Sequence, residues 1–193
     1  MNKDARCFGN KDPLMEEYHD KEWGVPLHDD RELFGLILLE GAQAGLSWRT
    51  VLHRREAYRE AFAGFDPEVV SRFTPERLED IRLNRGVIRN KLKIASAVKN
   101  AKGFLAIQLE YGSFDKYLWA YVNHKPVMNG FGSWKEVLAE TELSTRISKD
   151  LKKRGFTFVG PTIMYAYMQS VGMVNDHLTS CFRYQEIVEE YGR

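Results

Sequence analysis

Two cysteines in 193 residues are too few for a disulfide framework, and no uninterrupted apolar run approaches the roughly 20 residues of a membrane span. The opening residues Met1-Asn2-Lys3-Asp4-Ala5-Arg6 lead into no apolar segment of the kind that a secretory signal requires. A soluble, cytoplasmic protein without a membrane partner is expected, and its cysteines read as thiols or metal ligands. Strand signals are sparse, and only Phe156-Thr157-Phe158-Val159 alternates plausibly. Repeats, low-complexity tracts and linkers are lacking too. Net charge is also nearly lacking, at +1, so global electrostatics demand no polyanionic partner. Acid, however, is locally missing. Between Ile81 and Leu109 stand Arg82, Arg85, Arg89, Lys91, Lys93, Lys99 and Lys102 with no carboxylate among them. Lys149-Asp150-Leu151-Lys152-Lys153-Arg154 forms a second basic cluster, offset in the sum by Glu186, Glu189 and Glu190.

What is present is helical punctuation. Pro13 opens a short helix through His19, and Trp23-Gly24-Val25-Pro26 breaks it. Asp29 and Asp30 can cap the next helix, which runs into the stretch Leu39 to Trp48. Ser47 opens a helix through Val51, Leu52, Tyr58 and Phe62 that closes at Gly64. Asp66-Pro67 and Thr74-Pro75 announce two short helices, and a long one follows the turn Arg85-Gly86-Val87-Ile88. Ser113 and Ser144 start further helices, with a loop from Pro126 to Gly132 between them. Pro161 begins an apolar helix ending at Gly172, and Asn175 to Cys181 reads as one or two final helical turns. The class expected is all-α, a single domain over residues 1–193 with two helical lobes.

Three features carry chemistry. Glu40 follows Leu36-Ile37-Leu38-Leu39, so it is either a partly exposed residue in a glycine-containing interhelical turn or a desolvated carboxylate needing partners. Cys7 and His19 lie near one end, His177 and Cys181 near the other, the latter pair spaced i, i+4 as on one helical face. Two thiolates and two imidazoles are a tetrahedral zinc set that would staple the termini; otherwise Cys7 is an incidental thiol and the second pair merely packs. Gly86 sits in a turn between helices, followed by Arg89, Lys91 and Lys93. Such a hairpin offers backbone N–H groups and cations to phosphates, although basic runs are also ordinary solvated helix faces.

Several of these pieces together resemble the 3-methyladenine DNA glycosylase I family. The matching residues are Tyr18-His19-Asp20, Glu22-Trp23-Gly24-Val25-Pro26, Leu39-Glu40-Gly41, Gln43-Ala44-Gly45-Leu46-Ser47-Trp48, and Phe65-Asp66-Pro67. Val122-Asn123-His124, Leu151 to Phe156, Phe158-Val159-Gly160 and Val174-Asn175-Asp176-His177 continue the match to the far end. The resemblance implies a helix-hairpin-helix glycosylase fold and one structural zinc on Cys7, His19, His177 and Cys181. It further implies a base pocket shaped by Tyr18, Trp23, Glu40 and Trp48, and a Gly45-Leu46 wedge that enters the gap left by an extruded nucleotide. The partner implied is double-stranded DNA carrying alkylated bases, with 3-methyladenine as the product and a monomer as the working form. One departure stands out. The family commonly has Cys-Gly-Trp where this chain has Cys7-Phe8-Gly9, so Phe8 either replaces that tryptophan or leaves the pocket more open.

These residues suit the reaction implied. N3-methyladenine is cationic, so its glycosidic bond is already weak, and aromatic faces with the Glu40 carboxylate favour it over neutral adenine. Extrusion from the duplex costs roughly a few kcal/mol, which Leu46 can offset by filling the stack. No lysine nucleophile stands out, so a monofunctional enzyme is expected. A non-enzymatic zinc-stabilised DNA-binding module would explain the hairpin and the metal but not Glu40 beside Trp48 and Tyr18. A metallohydrolase would need an open metal position that four protein ligands do not leave.

Overall fold

The computed structural model describes residues 6–192. Its framework is eleven α-helices among the described residues, and most begin where a short polar side chain can satisfy orphan N–H groups. Asp12 caps α1 (Pro13–Lys21), Asp29 caps α2 (Asp30–Gln43) and Ser47 caps α3 (Trp48–Leu52). After α4 (Arg55–Ala61), Asp66 and Thr74 cap the proline-led α5 (Pro67–Val70) and α6 (Pro75–Leu83). Asn90 caps the long α7 (Lys91–Tyr111), Ser113 caps α8 (Phe114–Trp119), and Gly160 precedes the proline-led α10 (Pro161–Ser170). Each such cap is worth about 1 kcal/mol.

Helix α2 organises the rest. Apart from Leu36, every residue from Leu33 to Ala42 is buried. A helix apolar around most of its circumference belongs in a core, and α3, α4, α7, α8 and α10 all pack on this one. Gly35 lets the Phe65 ring approach so closely that a Cβ there would lie 2.5 Å from it. The main cluster continues through Phe104, Phe114, Trp119, Ile147, Leu151 and Tyr167. A smaller one gathers Tyr18, Trp23 and Leu52 with Phe8, Met15 and Trp48 around them.

Six features differ from the sequence expectation. The Ser47 helix does not run on to Phe62 but breaks at His53–Arg54, which redirects α4 so that Arg54 Nη1 donates to Arg85 O at 2.9 Å. Helix α9 (Glu142–Lys153) starts two residues before Ser144, because Thr141 and Ser144 form a reciprocal capping box. Phe156 to Val159 is not a strand: buried Asn100 takes its backbone bonds, donating to Thr157 O and accepting from Thr157 N, and Phe158 is left-handed at φ 57°. The strands are β1 (Val127–Met128) and β2 (Val174–Asn175), a short parallel pair with Val127 opposite Val174. The turn from Asp176 to Cys181 is not helical, since His177 N donates to Asn175 Oδ1 and Thr179 N to Phe131 O. Helix α11 (Phe182–Tyr191) then follows with Cys181 at its cap, an element that the sequence expectation did not include; it buries only Ile187.

Gly172 turns the chain from α10 into β2 and fixes where the site is built. Its φ is +70°, and an added Cβ would lie 2.2 Å from the Val25 carbonyl carbon. On either side, Gly24 N donates to Gln169 O and Leu27 N to Val171 O, so this turn docks the segment after α1 onto α10. Gly172→Ala is therefore expected to lose about 3 kcal/mol or more of stability, read as the shift in urea midpoint at constant slope. A loss below about 0.5 kcal/mol would show that the two segments do not depend on this approach.

Candidate active site and metal centre

Glu40 is helical, not part of a turn. It lies in the last turn of α2 and is 3% exposed, which corrects the reading of a partly exposed residue between helices. The turn begins only at Ala44, with Gly45 at φ +80° and Leu46 42% exposed beyond it. Ser170, at the end of α10, donates its hydroxyl to Glu40 Oε1, while Oε2 is buried and has no partner. The same hydroxyl lies 2.7 Å from Ala166 O, and one hydroxyl proton cannot serve both acceptors. Either Ser170 gives its proton to an ionised Glu40, or a protonated Glu40 donates and Ser170 keeps Ala166. Desolvation pushes the Glu40 carboxyl up to about 8, with the Ser170 bond opposing it, so the empty site favours the second arrangement at neutral pH.

Around this group lies a cavity of about 320 Å³. Phe8, Tyr18, Trp23 and Trp48 line it with Glu40, and the sequence reading had named all five. Trp134, Met15, Gln43 and Gln169 line it as well and were not foreseen. Tyr18 and Trp48 meet at 5.3 Å between ring centroids, and Phe8 stands edge-on to Trp23 at 4.9 Å. Trp48 Nε1 is a second buried atom without a partner. The cavity thus combines flat aromatic walls with one free acceptor and one free donor. Buried polar atoms are almost always paired, so two orphans beside one void mark a place for a planar polar ligand. A neighbouring cavity of about 220 Å³, across Tyr18, has charged walls that are already paired: Arg55 with Glu22 and Arg59 with Glu32.

Beside the cavity the four sequence-distant ligands converge. The candidate donor atoms of Cys7, His19, His177 and Cys181 all lie within 4.8 Å of one another and can hold a metal ion. Cys7 Sγ is 3.2 Å from His19 Nε2 and 3.5 Å from His177 Nδ1; Cys181 Sγ is 3.3 and 3.6 Å from the same atoms. The outward nitrogens donate elsewhere, His19 Nδ1 to Asp20 at 2.8 Å and His177 Nε2 to Trp23 O at 2.9 Å. That leaves each inward nitrogen a lone pair, the tautomers that coordination requires. Arg6 in turn donates twice to Asp20. The Cys7 contact pushes the Cys181 thiol down while raising that of Cys7, so the pair holds one thiolate strongly. His177 and Cys181 do not share a helical face as the i, i+4 spacing suggested; the turn after β2 brings them together instead.

The residues read as DNA contacts are divided in their placement. Leu46 and Gly45 protrude on the turn after α2, and nothing lies within 4 Å of where a Gly45 Cβ would be. Gly86 packs tightly on α4, where a Cβ would meet Ala57 at 2.6 Å, and Arg89 and Lys91 are exposed next to it. Leu46, Arg54, Arg85 and Arg89 share one concave surface. Lys93 is placed differently: it is half-buried, and its Nζ donates to Ala42 O and Ala44 O, so its charge neutralises the carbonyl end of α2.

The structural class of this helical fold, with its buried carboxylate in an aromatic cavity, is that of the DNA glycosylases, as comparison with solved structures shows. A solved structure of 3-methyladenine DNA glycosylase I is 46% identical and superposes with a TM-score of 0.89, over 92% of this chain and 98% of that one. The Staphylococcus aureus enzyme of that name gives 39% and 0.88, over 91% and 93%. A structure of such an enzyme in complex with 3-methyladenine gives 38% and 0.89, over 94% and 97%. The methyladenine glycosylase family model matches residues 8–184, and the chain belongs to that family. Among curated relatives, the DNA-3-methyladenine glycosylase of Haemophilus influenzae is 49% identical over 92% of this chain and 96% of its own length. DNA-3-methyladenine glycosylase 1 of Escherichia coli is 45% identical over 93% and 96%.

The Glu40 environment makes a pH prediction. Its carboxyl titrates near 4.5 in an unfolded chain and near 8 in the fold, so the fold binds the extra proton between those values. The contribution is complete below the unfolded value and is lost as pH rises through about 8. Wild-type stability should therefore fall relative to Glu40→Gln by on the order of 2–4 kcal/mol from pH 5 to pH 8. Urea titrations of both proteins across that range test this, and parallel pH profiles would show that Glu40 titrates normally.

Proposed function

We infer that this protein is a DNA-3-methyladenine glycosylase of base-excision repair. It hydrolyses the N-glycosidic bond of N3-methyladenine in alkylated duplex DNA, releasing the base and leaving an abasic site. The single observation that carries this reading is the pair of orphaned buried atoms, Glu40 Oε2 and Trp48 Nε1, at an aromatic cavity. Relatives named for this activity at 45–49% identity support it, as does a structural neighbour titled as a 3-methyladenine complex.

The residues divide the work as follows. Helices α6 and α7 with the Gly86 turn act as the helix-hairpin-helix element, and its backbone N–H groups with Arg89 and Lys91 hold phosphates. Lys93 serves the same element indirectly, by fixing the end of α2. Leu46 enters the stack as the damaged nucleotide leaves it, which offsets part of the extrusion cost of roughly a few kcal/mol. The base then lies among Tyr18, Trp23, Phe8 and Trp48, where a cation gains on the order of 1–2 kcal/mol over a neutral ring when desolvated. Its charge restores Glu40 to the carboxylate, and Ser170 swings its proton onto that anion. Glu40 is the catalytic residue: it accepts from the exocyclic amine through Oε2 and holds the cationic base for cleavage. The glycosidic electron pair leaves with the base, which departs neutral, and water adds to the sugar cation left behind, losing a proton to give the abasic site. The charged side chain lining the cavity is Glu40, and no lysine lines it among the described residues, which supports a monofunctional enzyme without strand cleavage.

The metal we assign is one structural zinc. Tetrahedral bonds of about 2.3 Å to sulfur and 2.0–2.1 Å to nitrogen place S and N about 3.5 Å apart, and the four contacts here span 3.2 to 3.6 Å. When bound, zinc supplies a cross-link and no open position for water. Cys7, His19, His177 and Cys181 hold it, closing residues 7–181 into one domain of two helical lobes. We place the enzyme in the cytoplasm as a monomer, a reducing setting that keeps both cysteines out of disulfides.

Incubating the protein with methylated DNA and identifying the product by chromatography tests the activity. Free 3-methyladenine is the expected product, whereas retention of the DNA without base release would favour a binding module. Glu40→Gln is expected to fold and lose excision by about 100-fold or more in a single turnover; an undiminished rate would remove its assigned role. Cys181→Ala should lose bound zinc and melt about 10 °C lower. Full metal occupancy in that variant would refute the four-ligand site.

A further inference from the structure

Trp134 belongs to none of the sequence features above, yet it occupies a built position at the cavity. It lies in the segment after β1 and is 44% exposed. Its Nε1 donates to Cys7 O at 3.1 Å, so the backbone of a metal-ligand residue holds the indole. The segment itself is clamped: Glu136 accepts from Gly132 N at 2.9 Å and from Ser133 Oγ at 3.0 Å, on the two residues before Trp134. Phe131 O accepts from Thr179 N, which ties the same segment to the turn carrying His177 and Cys181. The ring centroid stands 6.3 Å from Phe8 and 6.2 Å from Trp23.

Phe8 does not fill the place of the missing tryptophan by itself. It is wedged edge-on between His19 at 4.8 Å and Trp23 at 4.9 Å, so its ring is used in packing the metal cluster against the pocket. Trp134, itself 44% exposed, adds a further aromatic to the cavity lining from 126 residues away in the chain (134 − 8).

We propose that Trp134 is a specificity-determining residue, the outer aromatic wall that covers the extruded base and favours a flat cation over neutral adenine. The role rests on the 3-methyladenine activity inferred above. The indole N–H is spent on Cys7 O and is not a donor for the ligand, so we give the role to the ring's π face. That face adds stacking, which every base shares, and cation–π attraction, which only the alkylated base receives.

The test uses the full-length, metal-loaded protein and three variants, Trp134→Ala, Trp134→Phe and Trp134→Leu. Read-outs are the dissociation constants of free 3-methyladenine and of adenine, near pH 5.5 so that the methylated base is partly cationic, and single-turnover release from methylated DNA. Trp134→Ala and Trp134→Leu should bind 3-methyladenine about tenfold more weakly, narrow its preference over adenine, and keep wild-type metal content. Trp134→Phe should stay within about threefold of wild type, because a ring without the N–H still stacks. Should Trp134→Phe fall as far as Trp134→Ala, the bond to Cys7 and not the face would matter, and the proposal would be overturned. Equal binding by Trp134→Leu and Trp134→Phe would overturn it as well, by showing that bulk suffices. Failure of the wild-type protein to release the base removes the proposed activity and this role together. A fully active wild type with Trp134→Ala unchanged removes this role alone.

Discussion

A carboxylate placed in the last turn of a helix that is otherwise apolar on nearly every side is the constraint on which the site depends. Burying Glu40 costs several kcal/mol if it is charged and unpaired, and the fold returns only one hydrogen bond, from Ser170. The empty protein meets that cost by favouring the protonated acid. A cationic planar ligand would meet it differently, by supplying the missing charge and a donor for Oε2 at once. Affinity for the cation and the strain of the empty site are therefore one term seen from two states. A neutral base of the same shape gains the stacking but not this electrostatic return.

The Cys/His cluster and the pocket are built from shared parts. His177 donates to the carbonyl of Trp23, Phe8 packs between His19 and Trp23, and Cys7 offers its carbonyl to Trp134. Tyr18 and His19 are neighbours in α1, one facing the cavity and the other the cluster. The cluster residues thus connect three aromatic side chains of the cavity, Phe8, Trp23 and Trp134, through their own contacts. Gly172 performs the same service from the other side, docking the residues after α1 onto α10, which carries Ser170 and Gln169.

Local signals in the sequence mapped well onto local structure. Asp29, Ser47, Asp66, Thr74 and Ser113 each cap a helix as their neighbours suggested, because capping depends on residues within a few positions. Signals that competed with long-range bonds misled. Phe156 to Val159 has a strand pattern, but Asn100 from α7 takes its backbone partners. The spacing of His177 and Cys181 suggests a helix, but Asn175 and Phe131 draw that segment into a turn.

By itself, then, the sequence determined the helical class, the helix starts, the identity of four possible metal ligands and the suspicion attached to Glu40. These follow from residue type and near-neighbour spacing. Tertiary structure decided what those residues do. It buried Glu40 beside Ser170, turned Lys93 onto the end of α2, and brought Trp134 to the pocket, since such contacts join residues 49 to 130 positions apart and leave no local trace. Pairing over such distances is set by packing, and packing has no short-range period in the chain to read.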